Sequence, residues 1–397
     1  MGKRVCMLLS YLPFLDARIF ELEAKSLAKH GYEVTIIAPR QNGFLQDIDG
    51  KPFTRQFRNK SFKYQGIKII TYDCKRKSNH PRTHPLFQLG LRERADIYHA
   101  HELSSFYYGK EIKLALKKQN VKNVKLIYDS RQVTPDPFSQ SMKEIEKRQS
   151  KKILLDSLKE ADYTITVSDS IKAWYLSMDP LLPVEVIYNA PPLSSDFKVK
   201  GGNPNRLVAA HEGNVSDKNL HTIYTITDSC RKVMDFHFKL IGGPRYGEKI
   251  SVPDHLQSRI IQSGWIQYES LSSLYSDVDI GLIELDPTSS LNHAFAMPGK
   301  LFNYLNNGVP VIVSKCSDME KFVNTYQCGI VINRLNPTAA DYVKGMVYLN
   351  KNRSMLRRMS INARKAMEEV YSWEHMEKRL INLYKSLDTD QRPYLLS

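Results

Sequence analysis

Short apolar runs alternate with amphipathic stretches along the first half of the chain, and after one break the alternation begins again. Val5–Ser10 reads as a strand, Ala17–His30 as an amphipathic helix and Glu33–Ala38 as a second strand. Strands follow at Ile67–Tyr72 and Asp96–Ala100, then a helix at Leu103–Lys118 and a strand at Val124–Tyr128. A long basic helix over Ser141–Glu160 precedes a strand at Tyr163–Val167, a helix at Ser168–Ser177 and a strand at Val184–Tyr188. The run Asn189-Ala190-Pro191-Pro192-Leu193-Ser194-Ser195, with Gly201-Gly202-Asn203-Pro204 soon after, breaks the pattern and marks a domain boundary. Beyond it, Leu207–His211, Phe236–Ile241, Asp279–Glu284 and Gly329–Asn333 read as strands, with helices at Asn219–Met234 and Glu269–Ser276 and from about Thr338 onward. Strands alternating with helices predict mostly parallel sheets covered on both faces. The expected architecture is α/β, with two doubly wound domains over residues 1–190 and 206–370. A linker at 191–205 joins them, a cleft lies between them, and residues 371–397 form a closing segment. Ligands of such sheets sit beyond the carboxyl ends of the strands.

Residues 298–313 give the sharpest local signal. Pro298 suits a helix start, Leu301, Phe302 and Leu305 form an apolar face, and Gly308 suits the left-handed residue that ends a helix. Val309–Val313 then reads as a strand buried on both faces. Lys300 is out of place, because a cation in a helix's first turn opposes the macrodipole. A bound anion reverses that penalty, so Gly299-Lys300 implies a phosphorylated ligand at the helix start.

Composition narrows the classes. The chain has 397 residues with ordinary globular proportions, and no run approaches the roughly 18 apolar residues of a membrane span. Ser10, Tyr11 and Pro13 interrupt the apolar N-terminal segment, which therefore reads as a buried strand rather than a signal peptide. Cys6, Cys74, Cys230, Cys316 and Cys328 follow no metal or disulfide spacing, which points to a reduced, cytosolic compartment. The net charge of +15 concerns partners rather than fold. It gathers at residues 51–68, where Lys51, Arg55, Arg58, Lys60, Lys63 and Lys68 interleave with Phe53, Phe57, Phe62 and Tyr64, and again at Lys75-Arg76-Lys77 with Arg82. The helix over 141–160 sets Ile145, Leu154, Leu155 and Leu158 among basic residues, as a core-packed helix with a wet basic face does. Both stretches are candidates for an anionic membrane surface. No nucleic-acid recognition module is visible.

Candidate chemistry clusters where strands end. His99-Ala100-His101-Glu102 closes one strand, and its spacing places no third metal ligand, so no metal site is expected there. His211-Glu212-Gly213-Asn214-Val215-Ser216-Asp217-Lys218 closes another. Gly213 permits close backbone approach, and Lys218 lies at the next helix start, so Lys218 and Lys300 make a pair of cations for one diphosphate. Gly242-Gly243 lacks the dinucleotide fingerprint spacing, and P-loop and hydrolase motifs are missing. Asp277 and Asp279 read as a helix end and a strand entry rather than as metal ligands.

These residues resemble the GT-B fold glycosyltransferases of family 4, also called glycosyltransferase group 1. The likeness rests on Asp16-Ala17-Arg18-Ile19-Phe20 with His30-Gly31-Tyr32-Glu33-Val34, on Ala95-Asp96-Ile97-Tyr98-His99-Ala100-His101, and on Val186-Ile187-Tyr188-Asn189-Ala190. It is most specific at Pro298-x-Lys300-Leu301-Phe302-x-Tyr304 with Gly308-x-Pro310-Val311. The resemblance implies two Rossmann-like domains, with a final helix, from about Tyr371 to Leu383, returning to the first. It implies a nucleoside-diphosphate-sugar donor held by Gly213, Asn214, Lys218, Pro298, Gly299, Lys300, Leu301 and Asn303. His101 is implied to meet the donor sugar and, with Lys218 and Lys300, to form the catalytic set. Asp16, Arg18, His99 and Glu102 fall on the acceptor side, with Asp16 and Arg18 near the mouth of the first domain. Transfer with retention, and without a cofactor or obligatory metal, is implied as well. The departures are Asn303 and Phe295, where the family has Glu, and Asn214, where it has Arg.

The expected function is therefore sugar transfer from a nucleoside-diphosphate sugar to a glycan or lipid-linked acceptor. It belongs to surface-polysaccharide synthesis, in the cytoplasm or peripherally at the inner membrane face. The three departures motivate a rival, a GT-B protein acting as a partner subunit or glycan-binding module. A nucleotide-sugar epimerase is the lesser alternative, disfavoured because paired carboxylates facing the donor are lacking.

Overall fold

The computed structural model describes residues 2–74, 81–195 and 197–387, so the basic run Lys75-Arg76-Lys77 lies outside the described residues. The chain forms two compact units. Described residues up to Ile187 and from Glu377 onward make unit 1, and Tyr188–Met376 make unit 2.

Unit 1 carries strands β1 (Arg4–Leu8), β2 (Glu33–Arg40), β3 (Ser61–Tyr64), β4 (Ile67–Asp73), β5 (Ile97–Ala100), β6 (Lys125–Ser130), β7 (Tyr163–Thr166) and β8 (Val184–Val186). Among the described residues they form one sheet in the order β3-β4-β2-β1-β5-β6-β7-β8, parallel except for the β3–β4 hairpin. Its helices are α1 (Lys25–Lys29), α2 (Pro85–Glu93), α3 (Leu103–Lys118), α4 (Glu144–Leu158) and α5 (Asp169–Leu176). The expected helix over 17–30 is α only over its last part, Lys25–Lys29. Ala17–Ala24 is a π-helix whose N-cap, Asp16, accepts from the Ile19 N–H. The wider winding brings residues five apart onto one face, which places Arg18 above Glu23. Helix α2 is absent from the sequence pattern; Pro85 opens it, and the His84 ring caps it by accepting from the Leu86 N–H.

Two basic stretches differ from expectation. The aromatics of 51–68 are half-buried, with Phe53, Phe57, Phe62 and Tyr64 packing on one another and on Phe14. They form a small core under the β3 hairpin and leave mainly the cations outside. Helix α4 buries only Leu154, Ser157 and Leu158, whereas Ile145 and Leu155, expected in the core, are exposed.

Unit 2 carries β9 (Leu207–Asn214), β10 (Phe236–Gly243), β11 (Ile260–Gly264), β12 (Ile280–Ile283), β13 (Val311–Ser314) and β14 (Gly329–Ile332). They form an all-parallel sheet in the order β11-β10-β9-β12-β13-β14. Helices α6 (Asp217–Arg231), α7 (Leu291–Ala294), α8 (Gly299–Asn306), α9 (Ser317–Tyr326), α10 (Ala339–Lys351) and α11 (Arg353–Ala366) cover it. Leu207, Ala209, Leu240, Leu282 and Ile312 of the strands pack against Ile223, Ile226, Tyr342 and Met346 of α6 and α10. The helix Glu269–Ser276 of the sequence pattern is a 3-10 turn over Tyr268–Tyr275.

The stretch 191–205 is built into unit 2. Ser194 N–H donates to Asn306 Oδ1 and Asn306 Nδ2 to the Pro192 carbonyl, while Lys200 Nζ donates to the Tyr275 carbonyl at 2.6 Å. Helix α12 (Trp373–Ser386) starts in unit 2 and ends in unit 1, where Arg379 donates to the Val186 carbonyl. Among the described residues, no helix is long and apolar enough to cross a membrane.

Each sheet reverses its strand order beside its first strand, between β1 and β5 in unit 1 and between β9 and β12 in unit 2. Successive helices then leave for opposite faces, so the strand ends at the reversal are open to a ligand. In unit 2, α8 is seated there by Gly281. The Tyr304 ring lies where a Cβ on Gly281 would stand, 2.5 Å from its Cγ, and its hydroxyl donates to the Ala210 carbonyl. Gly281→Ala is expected to destabilise unit 2 by about 1–3 kcal/mol, read as a lowered urea midpoint.

Candidate functional site

The carboxyl ends of β9 and β12 and the start of α8 gather the residues expected from the sequence on the donor side. Pro298 is the extended N-cap and Gly299 the first helical residue, one position later than the sequence pattern places the start. Gly299 is small because of Asn189, whose Nδ2 would lie 2.9 Å from a Cβ there. Lys300, in the first turn, is half-buried. Gly213, with φ +95°, passes beside it, since a Cβ at that position would lie 3.9 Å from Lys300 Nζ. Gly242 (φ +104°) lets β10 close onto the same loop, because a Cβ there would meet the Gly213 carbonyl oxygen at 2.5 Å.

Two carboxylates that sequence reasoning did not assign complete this corner. Glu212 accepts from Asn303 Nδ2 at 2.8 Å and from the Tyr275 hydroxyl. Glu284, just past β12, accepts from Thr222 Oγ1 at 3.0 Å. Burial lowers the Lys300 pKa, and Glu212 and Glu284 oppose that shift. Burial raises the pKa of Glu284, countered by hydrogen bonds from Thr222 and Asn219 and then by the charges of Lys218 and Lys300. Both lysines thus act on one carboxylate. Lys218 itself is exposed at the start of α6, 3.8 Å from Asp286. His211 is held near pKa 3 by burial and then by the Lys300 charge. Its Nε2–H donates to the Asn214 carbonyl, which leaves Nδ1 as a bare, buried acceptor. Asn303, on α8, is turned onto Glu212. Phe295 ends α7, and Leu301 is fully buried as a packing residue. Asp279 accepts from the Gly201 and Val208 N–H groups, and Asp277 pairs with Lys239. Both aspartates are structural.

The corresponding reversal in unit 1 holds a fully buried polar cluster. Arg18 Nε lies 2.9 Å from Asp129 Oδ2 and 3.0 Å from Glu23 Oε1, and Nη1 donates to the Ile187 carbonyl. The expected place for Arg18 near a mouth does not hold, because its side chain is wholly enclosed by these partners. Burial opposes the Arg18 charge, and Asp129 and Glu23 more than offset it. His101 Nδ1–H donates to Asp129 at 3.2 Å, leaving Nε2 buried without a partner. His99 stacks on His101 with ring centroids 4.4 Å apart and bonds through Nδ1 to the Tyr384 hydroxyl of α12. Asp16 is bridged by Arg131 at 3.0 Å. Glu102 accepts from the Ser10, Tyr11 and Leu12 N–H groups, so it fixes the β1 loop.

Glu23, His99, His101 and Asp129 each offer a ligand atom within 4.8 Å of the others, a convergence that the i, i+2 histidine spacing did not reveal. Glu23 enters from the π-helix and Asp129 from β6, elements distant in sequence. Arg18 lies against both carboxylates and supplies one positive charge between them. Arg18→Met removes the positive charge between them and is expected to cost about 3–5 kcal/mol, measurable by denaturant unfolding.

Residues 18–194 match the sequence model of Glycosyltransferase Family 4, and residues 235–371 match that of the Glucosyltransferase 3-like C-terminal domain. Among curated proteins, none matches the sequence. Solved structures agree over nearly the whole chain. Anabaena Alr3699/HepE, solved in complex with UDP and glucose, superposes with a TM-score of 0.68 at 13% identity, covering 97% of this chain and all of that one. Sucrose-phosphate synthase from Thermosynechococcus elongatus gives 0.66 at 13% identity, over 98% of this chain and 100% of its own. The lipopolysaccharide outer core galactosyltransferase WaaB gives 0.59 at 13%, over 96% and 99%. The fold is GT-B, and the two sequence matches fall one in each half of the chain.

Proposed function

We propose that the chain transfers a sugar, with retention of configuration, from a nucleoside-diphosphate sugar to a glycan or lipid-linked acceptor. The observation that carries this reading is Lys300. It is a half-buried cation at a helix start, beside the left-handed Gly213 and at the reversal of a parallel sheet. The first N–H groups of α8 and the Lys300 ammonium favour negative charge at the same point. In a glycosyl transfer that charge develops on the departing diphosphate, where fixed donors and cations lower the barrier most. Lys218, exposed at the surface and acting on the same carboxylate, supplies a second cation. Glu212, steadied by Asn303 and Tyr275, offers a carboxylate for donor hydroxyls. His101 serves the transfer from unit 1 by the resemblance, and no step requires a metal. The complexes of HepE with UDP and UDP-glucose support a uridine nucleotide as the first donor to try.

Lys300→Ala is expected to weaken binding of the accepted nucleotide sugar, and to slow transfer, by about 100-fold or more, as measured by calorimetry and product mass spectrometry. Unchanged binding and transfer would refute the assignment. The presence of Asn303 and Phe295 keeps one second reading in view, a GT-B partner subunit or glycan-binding module. Failure of the unmodified chain to bind any donor in a panel selects it. Product made without an acceptor selects an epimerase.

The acceptor side extends to a membrane surface in this reading. On α4, Ile145, Arg148, Lys152 and Leu155, with Lys159 just beyond, recur at helical spacing and are all exposed. Exposed apolar side chains among cations suit an anionic lipid surface. Co-sedimentation with anionic vesicles is expected to fall as salt rises and to be lost in Arg148→Glu/Lys152→Glu. Binding that is absent or independent of salt contradicts it.

A further inference from the structure

The unit 1 cluster has an unbalanced charge count. The guanidinium groups of Arg18 and Arg131 face three carboxyl groups, those of Asp16, Glu23 and Asp129. Arg131 and Asp16 pair with each other, and Arg18 lies between the other two carboxyls. Among the described residues, the polar groups that also meet these carboxyls are titratable: His99 of β5, His101 just past it, and Tyr384 of α12. A buried site with one uncompensated negative charge is costly. One proton removes the imbalance, whereas a divalent cation overshoots it and leaves the interior positive.

The geometry says where that proton goes. Asp129 is saturated, accepting from Arg18 Nε, from Arg18 Nη2 and from His101 Nδ1. Its pKa is lowered despite burial, through Arg18 and His101. Glu23 is the opposite case. Neither of its oxygens has a hydrogen bond, and Oε2 faces His101 Nδ1 at 3.8 Å and His99 Nε2 at 3.9 Å. Burial and the Asp129 charge raise the Glu23 pKa. His99 is pushed well down by burial and then by His101, so it stays neutral and packs against the ring of its neighbour.

We propose that Glu23 is a positioning residue for His101: the two share one proton inside the cluster, and the charge of Glu23 sets the protonation state in which His101 offers Nε2. The π-helix is the device that makes this possible, because it brings Glu23 over Arg18 and into the imidazole pair. Tyr384 completes the arrangement by holding the His99 ring from α12. The catalytic meaning of the shared proton rests on the sugar-transfer reading; the proton itself does not.

The test uses the full chain with labelled histidine. Nuclear magnetic resonance follows the His101 ring as pH is scanned through neutrality, in the unmodified protein, in Glu23→Gln and in Glu23→Asp. Removing an anion this close is expected to lower the His101 midpoint by about 1 unit or more. The aspartate variant, which restores the charge, is expected to bring it back towards the original value. Should Glu23→Gln fail to fold, infrared difference spectra of the unmodified protein with labelled glutamate give the answer. A buried carboxylic-acid band that titrates together with His101 supports the proposal. An unchanged His101 midpoint in Glu23→Gln, a glutamate ionised across the whole range, or one equivalent of tightly bound divalent metal overturns it. The pH profile of transfer is expected to move to lower pH in Glu23→Gln by the same interval, and an unmoved profile in an active variant also overturns it. If no transfer is found while the His101 shift is present, the functional reading fails and the shared proton stands.

Discussion

In a parallel sheet every strand ends on the same edge, and where the strand order reverses the covering helices part. Both units place their polar side chains at that one edge. In unit 2, β9 and β12 lie on either side of the reversal, and Glu212, Gly213 and Glu284 follow from their ends. In unit 1, β1 and β5 do the same for His99, His101 and the loop that Glu102 holds. The rest of each unit secures that edge. Gly281 lets Tyr304 seat α8 against β12, and buried apolar side chains of α6 and α10 hold the strands from one face.

The two edges handle charge differently. At α8 the Lys300 cation sits at a helix start that disfavours it, balanced by carboxylates placed beside it. In unit 1 Arg18 is enclosed between Glu23 and Asp129, and Arg131 pairs with Asp16 beside them, where both are partly exposed. Removing one partner there exposes another, so the cluster acts as a unit rather than as a set of contacts. The fixed orientation of the His101 ring follows from this pairing, since its Nδ1 is bound to the carboxylate that Arg18 also holds.

Much of the fold was legible in the chain because parallel strands buried on both faces leave continuous apolar runs. Leu103–Lys118 was read to the residue, and β12 and β13 to within one or two at each end. What escaped had no periodic signature. Helix α2 is short and its start depends on a histidine cap; the π-helix keeps the apolar spacing of an α-helix; and the aromatics of 51–68 fold inward on Phe14, a partner far away in sequence. Ile145 and Leu155 of α4 carry a helical pattern that points at nothing inside unit 1.

The sequence by itself determined the doubly wound class, the break near residue 190 and the Gly299-Lys300 helix start, because each depends on residues adjacent along the chain. It also placed Lys218 at the start of α6 and exposed the departure at Asn303. Only the tertiary structure decided which carboxylates stand beside these groups. Glu212 meets Asn303 from ninety-one residues away, and Asp129 meets Arg18 from one hundred and eleven. It enclosed Arg18, fastened 191–205 into unit 2 and drew Glu23 into the histidine pair. The physical reason is common to all of them. A buried charge is settled by its neighbours in space, and at the edge of a parallel sheet those neighbours come from strands and helices that the chain order keeps apart.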